Sequence, residues 1–166
     1  CAGQSEEQKE QNRQAAEYAE HMRIDGLVAE KAKAIFQPIP AVAVSENNPI
    51  SDAKVKLGKV LYFDRRLSKE GNISCNSCHN LATLGVDNLS FSPGDDGSLG
   101  DRNSPTVLNA AFHSSQFWDG RAADVEEQAG MPLLNPVEMA IPDEDFLVKR
   151  LNEIDIYRQL FDDAHP

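Results

Sequence analysis

Residues 75–79 read Cys-Asn-Ser-Cys-His, and no other stretch constrains the chain as much. Two thiols separated by two residues, with an imidazole directly after the second, form the pattern of covalent c-type haem attachment. Chemistry explains the spacing. Each thiol adds across one of two vinyl groups on a shared porphyrin edge, and one helical turn brings Cys75 and Cys78 to that edge. His79 then turns under the ring as the proximal ligand of the haem iron. Two other uses compete. Half of a zinc site has the same start, but the remaining cysteine, Cys1, is far away. A redox-active C-x-x-C belongs in a βαβ setting, which the sequence lacks. The reading is one covalent haem c, held by Cys75, Cys78 and His79. In bacteria this attachment takes place outside the cytoplasmic membrane, which predicts the periplasm or the outer side of a membrane.

Charge narrows the partners. The formal net charge is −11, so phosphate backbones are repelled and nucleic acid is excluded as a partner. A redox donor with a basic face is favoured by steering, although acidity equally serves solubility. No run approaches the roughly 20 apolar residues that span a bilayer. Cys1, followed by the small residues Ala2 and Gly3, reads as the mature end of a bacterial lipoprotein, which predicts a lipid anchor there. The alternative is a chain that merely starts at that residue.

Patterning along the chain predicts a mainly α, cytochrome c-like haem domain with long loops. Residues 1–23 are rich in Gln, Glu and Ala and read as a flexible acidic tether or loose helix. The haem domain is expected over 24–166. It opens with an amphipathic helix over 24–36 carrying Leu27, Val28, Ala32, Ile35 and Phe36, ended by Pro38 and Pro40. Ser51 or Asp52 caps a helix bearing Leu57, Val60, Leu61 and Phe63. The stretch from Gly85 to Pro105 has glycines, serines and aspartates and few apolar residues; so long a loop is usually functional. A helical turn follows at 105–112 and another over 122–130. Pro142 opens a helix with Phe146, Leu147 and Leu151, and Asp155 caps a last one with Ile156, Tyr157, Leu160 and Phe161.

Longer motifs carry a resemblance. LGKVLYFDRRLS (57–68), CNSCHNLATLGVDN (75–88), RNSPTVLNAA (102–111), QFWDGRAA (116–123), VEEQAGMP (125–132) and NPVEMA (135–140) together resemble the peroxidatic domain of the bacterial di-haem cytochrome c peroxidases, over residues 24–166. The resemblance implies reduction of hydrogen peroxide to water. Electrons would come from an external redox donor such as a small cytochrome c, or from a second haem domain. It places Gln128 and Glu138 on the distal face with Pro132, lines the pocket with Met139, sets Trp118 on the electron route and gives Asn103 a calcium contact. It leaves a homodimer open. Physical chemistry supports the distal pair. A carboxylate carries a proton from one peroxide oxygen to the other, and an amide N–H steadies developing negative charge. Taken without the resemblance, Glu138 reads as a surface or capping residue and Trp118 as core.

Two departures bear on the reading. The loop reads SPGDDG (92–97), with Asp95 where the family often has a histidine that blocks the resting iron. This predicts an open or water-filled sixth position, with Asp95 and Asp96 toward solvent on a mobile loop. Met131 and His113 are the rival ligands; Met131 otherwise fills the pocket wall, and His113, His21 and His165 otherwise lie on the surface. The chain also has a single C-x-x-C-H. This keeps an alternative function open: a monohaem electron-transfer cytochrome or haem-based sensor without turnover. Intact mass should show one added haem that survives acid-acetone extraction. The paired Cys75→Ala and Cys78→Ala changes should abolish attachment; a mass equal to the bare polypeptide would refute it.

Overall fold

The computed structural model describes residues 5–166, so the lipid expected at Cys1 lies outside the described residues. The described residues fall into two units, the first ending at Val42 and the second running from Ala43 to Pro166.

The first unit is dominated by α1, Glu6–Lys33, capped by the Ser5 hydroxyl, which accepts from the Gln8 amide at 3.2 Å. Its sequence offers little to bury, and its surface is stitched by ion pairs one turn apart: Glu6 with Lys9, Arg13 with both Glu10 and Glu17, Glu20 with Arg23, Glu30 with Lys33. Such exposed pairs each contribute only about 0.3–0.5 kcal/mol. The helix is continuous across positions 23 and 24, where the sequence pattern divides tether from domain. Charged pairs at helical spacing lie on both sides of that composition change, Glu20 with Arg23 before it and Glu30 with Lys33 after it. Leu27, Val28, Ile35 and Phe36, expected on a packed face, are exposed.

The second unit is built on α2 (Asp52–Phe63), α5 (Glu144–Asn152) and α6 (Asp155–Ala164). Ser51 caps α2 by accepting from the Lys54 amide at 3.2 Å. α2 lies against α6, and Leu57, Tyr157, Leu160 and Ala164 form a buried core with Val60, Leu61, Leu151 and Ile154 around it. Phe63, expected with that stripe, stays exposed. Capping differs from expectation at two further starts. Asp143, not Pro142, caps α5 by accepting from the Phe146 amide at 2.7 Å. Asp155 is the first residue of α6 instead of its cap, and it pairs with Arg158.

Two further helices carry the chemistry-bearing motifs: α3 (Cys75–Cys78), adjoining α2, and α4 (Val125–Leu134), capped by Asp124. Between them the chain has only 3₁₀ turns, at Leu81–Thr83 and Ala110–Phe112, the latter being all that forms of the turn expected over 105–112. Among the described residues there are no strands, only isolated bridges at Pro93–Leu99 and Gln116–Ala122. None of the described helices is long and apolar enough to cross a membrane. The unit is mainly α with long loops, as predicted.

One ionic cluster ties the core to the loops. The Tyr157 hydroxyl donates to Asp64, whose carboxylate also takes the Arg66 guanidinium at 2.6 Å and the Arg66 amide at 2.8 Å. Burial alone pushes the Asp64 carboxyl up, but these donors outweigh it and hold it at about 2. The folded value lies below the ordinary carboxylate value of 3.8. Asp64 therefore stabilises the fold fully above about pH 4, and that contribution is lost as pH falls through 2. Thermal unfolding followed from pH 5 to pH 2 should show the midpoint falling. Asp64→Asn should start lower and fall less, with at most about 2 kcal/mol at stake. Parallel curves would show that Asp64 does not titrate with folding.

Candidate functional site

The cysteine motif folds as a single turn closed by Ser74 and Ser77: the Ser74 amide donates to Ser77 Oγ at 3.0 Å, and the Ser77 amide donates to the Ser74 carbonyl at 2.9 Å. Cys75 and Cys78 have no disulfide partner and are partly buried. Burial pushes both thiols up, and at Cys78 the carboxylates of Asp87 and Glu138 add to it. His79 follows as the C-cap, its amide bonded to the Cys75 carbonyl at 2.9 Å. Its Nδ1 lies 2.9 Å from the Pro105 carbonyl oxygen. A carbonyl only accepts, so Nδ1 carries the proton and Nε2 keeps its lone pair for a metal. The Tyr62 hydroxyl on α2 donates to the His79 backbone carbonyl.

These features fit a covalent haem. Two unpaired thiols share one turn, and the imidazole is held in the tautomer an iron ligand needs. The buried apolar set is also small for the unit's length: Leu57, Leu67, Ala122, Met139, Ile141, Tyr157, Leu160 and Ala164. Large side chains such as Leu84, Leu89, Phe91 and Leu99 are left exposed. A domain of this size ordinarily builds a larger core, and a haem held at Cys75 and Cys78 would add apolar surface to it.

Gln128 lies on α4, half-buried, one turn past the Asp124 cap. Pro132 is in the same helix, and its carbonyl accepts from the Met139 amide at 3.2 Å. After α4 the chain turns at Asn135-Pro136. The Glu138 amide donates to the Asn135 carbonyl at 3.0 Å, and the Asn135 side chain donates to Glu138 Oε1 at 2.9 Å. Glu138 is half-buried and Met139 is buried. Met131 and His113, the rival ligands, are exposed, as are His21 and His165.

Trp118 is not core. It is 61% exposed, at the tip of the turn closed by the Gln116–Ala122 bridge, and its Nε1 donates to the Asn103 carbonyl at 2.9 Å. Phe117 and Gly120 take left-handed backbone conformations to make that turn, and Arg121 stacks on the Phe117 ring. Asn103 also borders an open cleft of about 440 Å³ with Val86, Asn88, Leu89, Ser90 and Ser104. Among the described residues no group of three or more His, Cys, Asp and Glu converges to hold a metal ion.

Asp95 overturns the expectation of a solvent-facing carboxylate. It is only 4% exposed. Its carboxylate accepts from the Ser68 hydroxyl at 2.7 Å, the Glu70 amide at 2.6 Å and the Asn72 amide at 3.0 Å. Three convergent donors draw it into the protein, whereas Asp96 beside it is exposed and bonds only the Ser98 turn. Burial pushes the Asp95 carboxyl up, but the hydroxyl and amide donors prevail and hold it below the usual carboxylate value. The Asp95 amide in turn donates to the Glu138 carbonyl at 2.7 Å. Gly94 makes this approach feasible: a Cβ there would lie 2.2 Å from the Val137 carbonyl oxygen. The sequence reading missed this knot, Tyr62 and the Pro105 carbonyl. Gly94 after Pro93 and the Asn135-Pro136 turn are the only signals that point toward it.

Residues 52–166 match the family model described as di-haem cytochrome c peroxidase. The cytochrome c551 peroxidase of Pseudomonas aeruginosa is 51% identical over 111 residues, covering 66% of this chain and 32% of that protein. The cytochrome c peroxidase Ccp of Escherichia coli (strain K12) is 40% identical over 152 residues, covering 92% and 32%. Among solved structures, a MauG-like protein associated with microbial copper homeostasis superposes with a TM-score of 0.71 at 32% identity, covering 80% of this chain and 40% of that one. The chain thus spans about a third of the length of these curated relatives, and its mainly α fold is of the cytochrome c-like kind seen in that structure.

The close approach at Gly94 predicts that Gly94→Ala forces the 137–138 backbone away. Overpacking against main chain should cost about 3 kcal/mol, read as a lowered denaturant midpoint with an unchanged slope. An unchanged midpoint would mean that the two segments do not touch.

Proposed function

The chain belongs to the di-haem cytochrome c peroxidase family, and on that premise we propose that it reduces hydrogen peroxide to water at a haem c held by Cys75, Cys78 and His79. The bound haem supplies a redox-active iron; the chain's own residues handle protons and charge. Glu138 takes a proton from one peroxide oxygen and returns it to the other, so that water leaves. Gln128 donates a hydrogen bond to the oxygen that gains negative charge. Pro132 and Met139 shape the wall beside them.

The observation that carries this reading is the setting of Glu138. It is half-buried, its carboxylate is oriented by Asn135, and its backbone carbonyl is held by the Asp95 amide. A surface glutamate has no need of such a setting.

The rest of the reading follows from the family. Electrons arrive from a small cytochrome c with a basic face or from a second haem domain, with the exposed Trp118 on the route. Asn103, whose carbonyl holds Trp118, contributes to a calcium site. The working location is the periplasm.

Glu138→Gln tests the proposal, because it keeps the side chain's shape and removes the proton acceptor. Stopped-flow mixing with peroxide should show the reaction slowed by about 10²–10⁴-fold, with covalent haem content unchanged by mass. An unchanged rate would remove Glu138 from the chemistry and turn the reading toward an electron carrier.

A further inference from the structure

We propose that Asp95 is the positioning residue for Glu138, holding its backbone so that the carboxylate stays over the reaction site; this rests on the acid–base reading of Glu138. The segment 137–139 belongs to no helix or strand, and Val137 is exposed. A catalytic side chain on such a stretch drifts unless its main chain is held. Two bonds hold it. The Glu138 carbonyl accepts from the Asp95 amide at 2.7 Å, and the Met139 carbonyl accepts from the Lys69 amide at 2.9 Å. Both donors belong to one assembly, because the Asp95 carboxylate binds Ser68 Oγ and the amides of Glu70 and Asn72, on either side of that anchor. The Asn72 side chain returns a bond to the Asp95 carbonyl at 2.9 Å.

The assembly is stiff on its own account. Gly94 and Ser98 close a tight turn, with the Gly94 amide 2.7 Å from the Ser98 carbonyl oxygen. Arg150 on α5 donates to the carbonyls of Arg66, Ser68 and Lys69 at 2.8, 2.6 and 2.8 Å. Rotation of the peptide after Glu138 would break the Asp95 bond, and the preceding peptide is packed so closely on Gly94 that a Cβ there would lie 2.2 Å from the Val137 carbonyl oxygen. A carboxylate suits the hub because it accepts at both oxygens. An amide has one acceptor oxygen and would set an N–H against one of the three donors.

The test uses the full haem-loaded chain carrying Asp95→Asn, with Ser68→Ala as a milder variant that removes one donor. The first readout is amide hydrogen exchange over 135–141, where the amides of Glu138 and Ala140 are bonded to the Asn135 carbonyl and those of Met139 and Ile141 to the carbonyls of Pro132 and Leu133 at the end of α4. Exchange there should quicken about tenfold or more, while peptides from α2 and α6 stay unchanged. The second is a double-mutant cycle on the peroxide reaction. Asp95→Asn should slow wild type about tenfold and add little once Glu138→Gln is present. Unaltered exchange at 135–141, or equal slowing in both backgrounds, would overturn the proposal. If Glu138→Gln alone left the rate unchanged, the acid–base reading would fail, and exchange would still decide whether Asp95 holds the segment. Should Asp95→Asn loosen every peptide, the same two readouts on Ser68→Ala decide.

Discussion

A carboxylate shut away from water has to be met by donors, and the loop structure of this protein follows from how Asp95 is met. Leaving it unpaired would cost several kcal/mol. The chain spends a hydroxyl and two backbone amides on it, all from residues 68–72, just ahead of the cysteine turn. Meeting that demand folds the approach to the haem motif against the segment that carries Glu138. Gly94 lets the two main chains touch. One buried charge thus brings together three loops that have no secondary structure of their own.

The helices support this arrangement from outside. The α2–α6 core is modest, but its polar edge is well used. Tyr157, wholly buried, sends its hydroxyl to Asp64, and Asp64 caps the 3₁₀ turn that leads to Ser68. Arg150 reaches from α5 to three carbonyls of the same stretch. Core and loops are therefore joined by charged hydrogen bonds as well as by the buried apolar residues Leu67, Met139 and Ile141. Charged hydrogen bonds are the stronger kind, and they are directional, which a loop without regular structure needs.

Much of this was legible in the sequence, and the limits have physical causes. Cys75, Cys78 and His79 announce themselves because covalent attachment demands one spacing. Helices α2, α5 and α6 follow from apolar periodicity; α2 is capped by Ser51 as expected, and the caps of α5 and α6 are displaced by a residue. Helix α1 escaped a correct boundary because its stability lies in charge pairs one turn apart, not in an apolar stripe. Trp118 escaped because an indole can be exposed when its N–H has a partner, and composition cannot reveal that partner. Asp95 escaped for a deeper reason. A carboxylate between glycines looks solvent-bound, and its donors lie 23 to 27 residues away along the chain. Long-range pairing of polar groups leaves no periodic trace.

The partner of His79 carries a consequence for the proposed chemistry. Its Nδ1 proton goes to the neutral carbonyl of Pro105, not to a carboxylate. A carboxylate there would pull on that proton and raise the basicity of the opposite nitrogen. A carbonyl pulls far less, so His79 would offer a bound metal a neutral ring nitrogen without the extra donation that a carboxylate partner lends. A haem held there would gain little electronic push from this ligand, and the burden of any bond cleavage would fall on proton placement by residues such as Glu138.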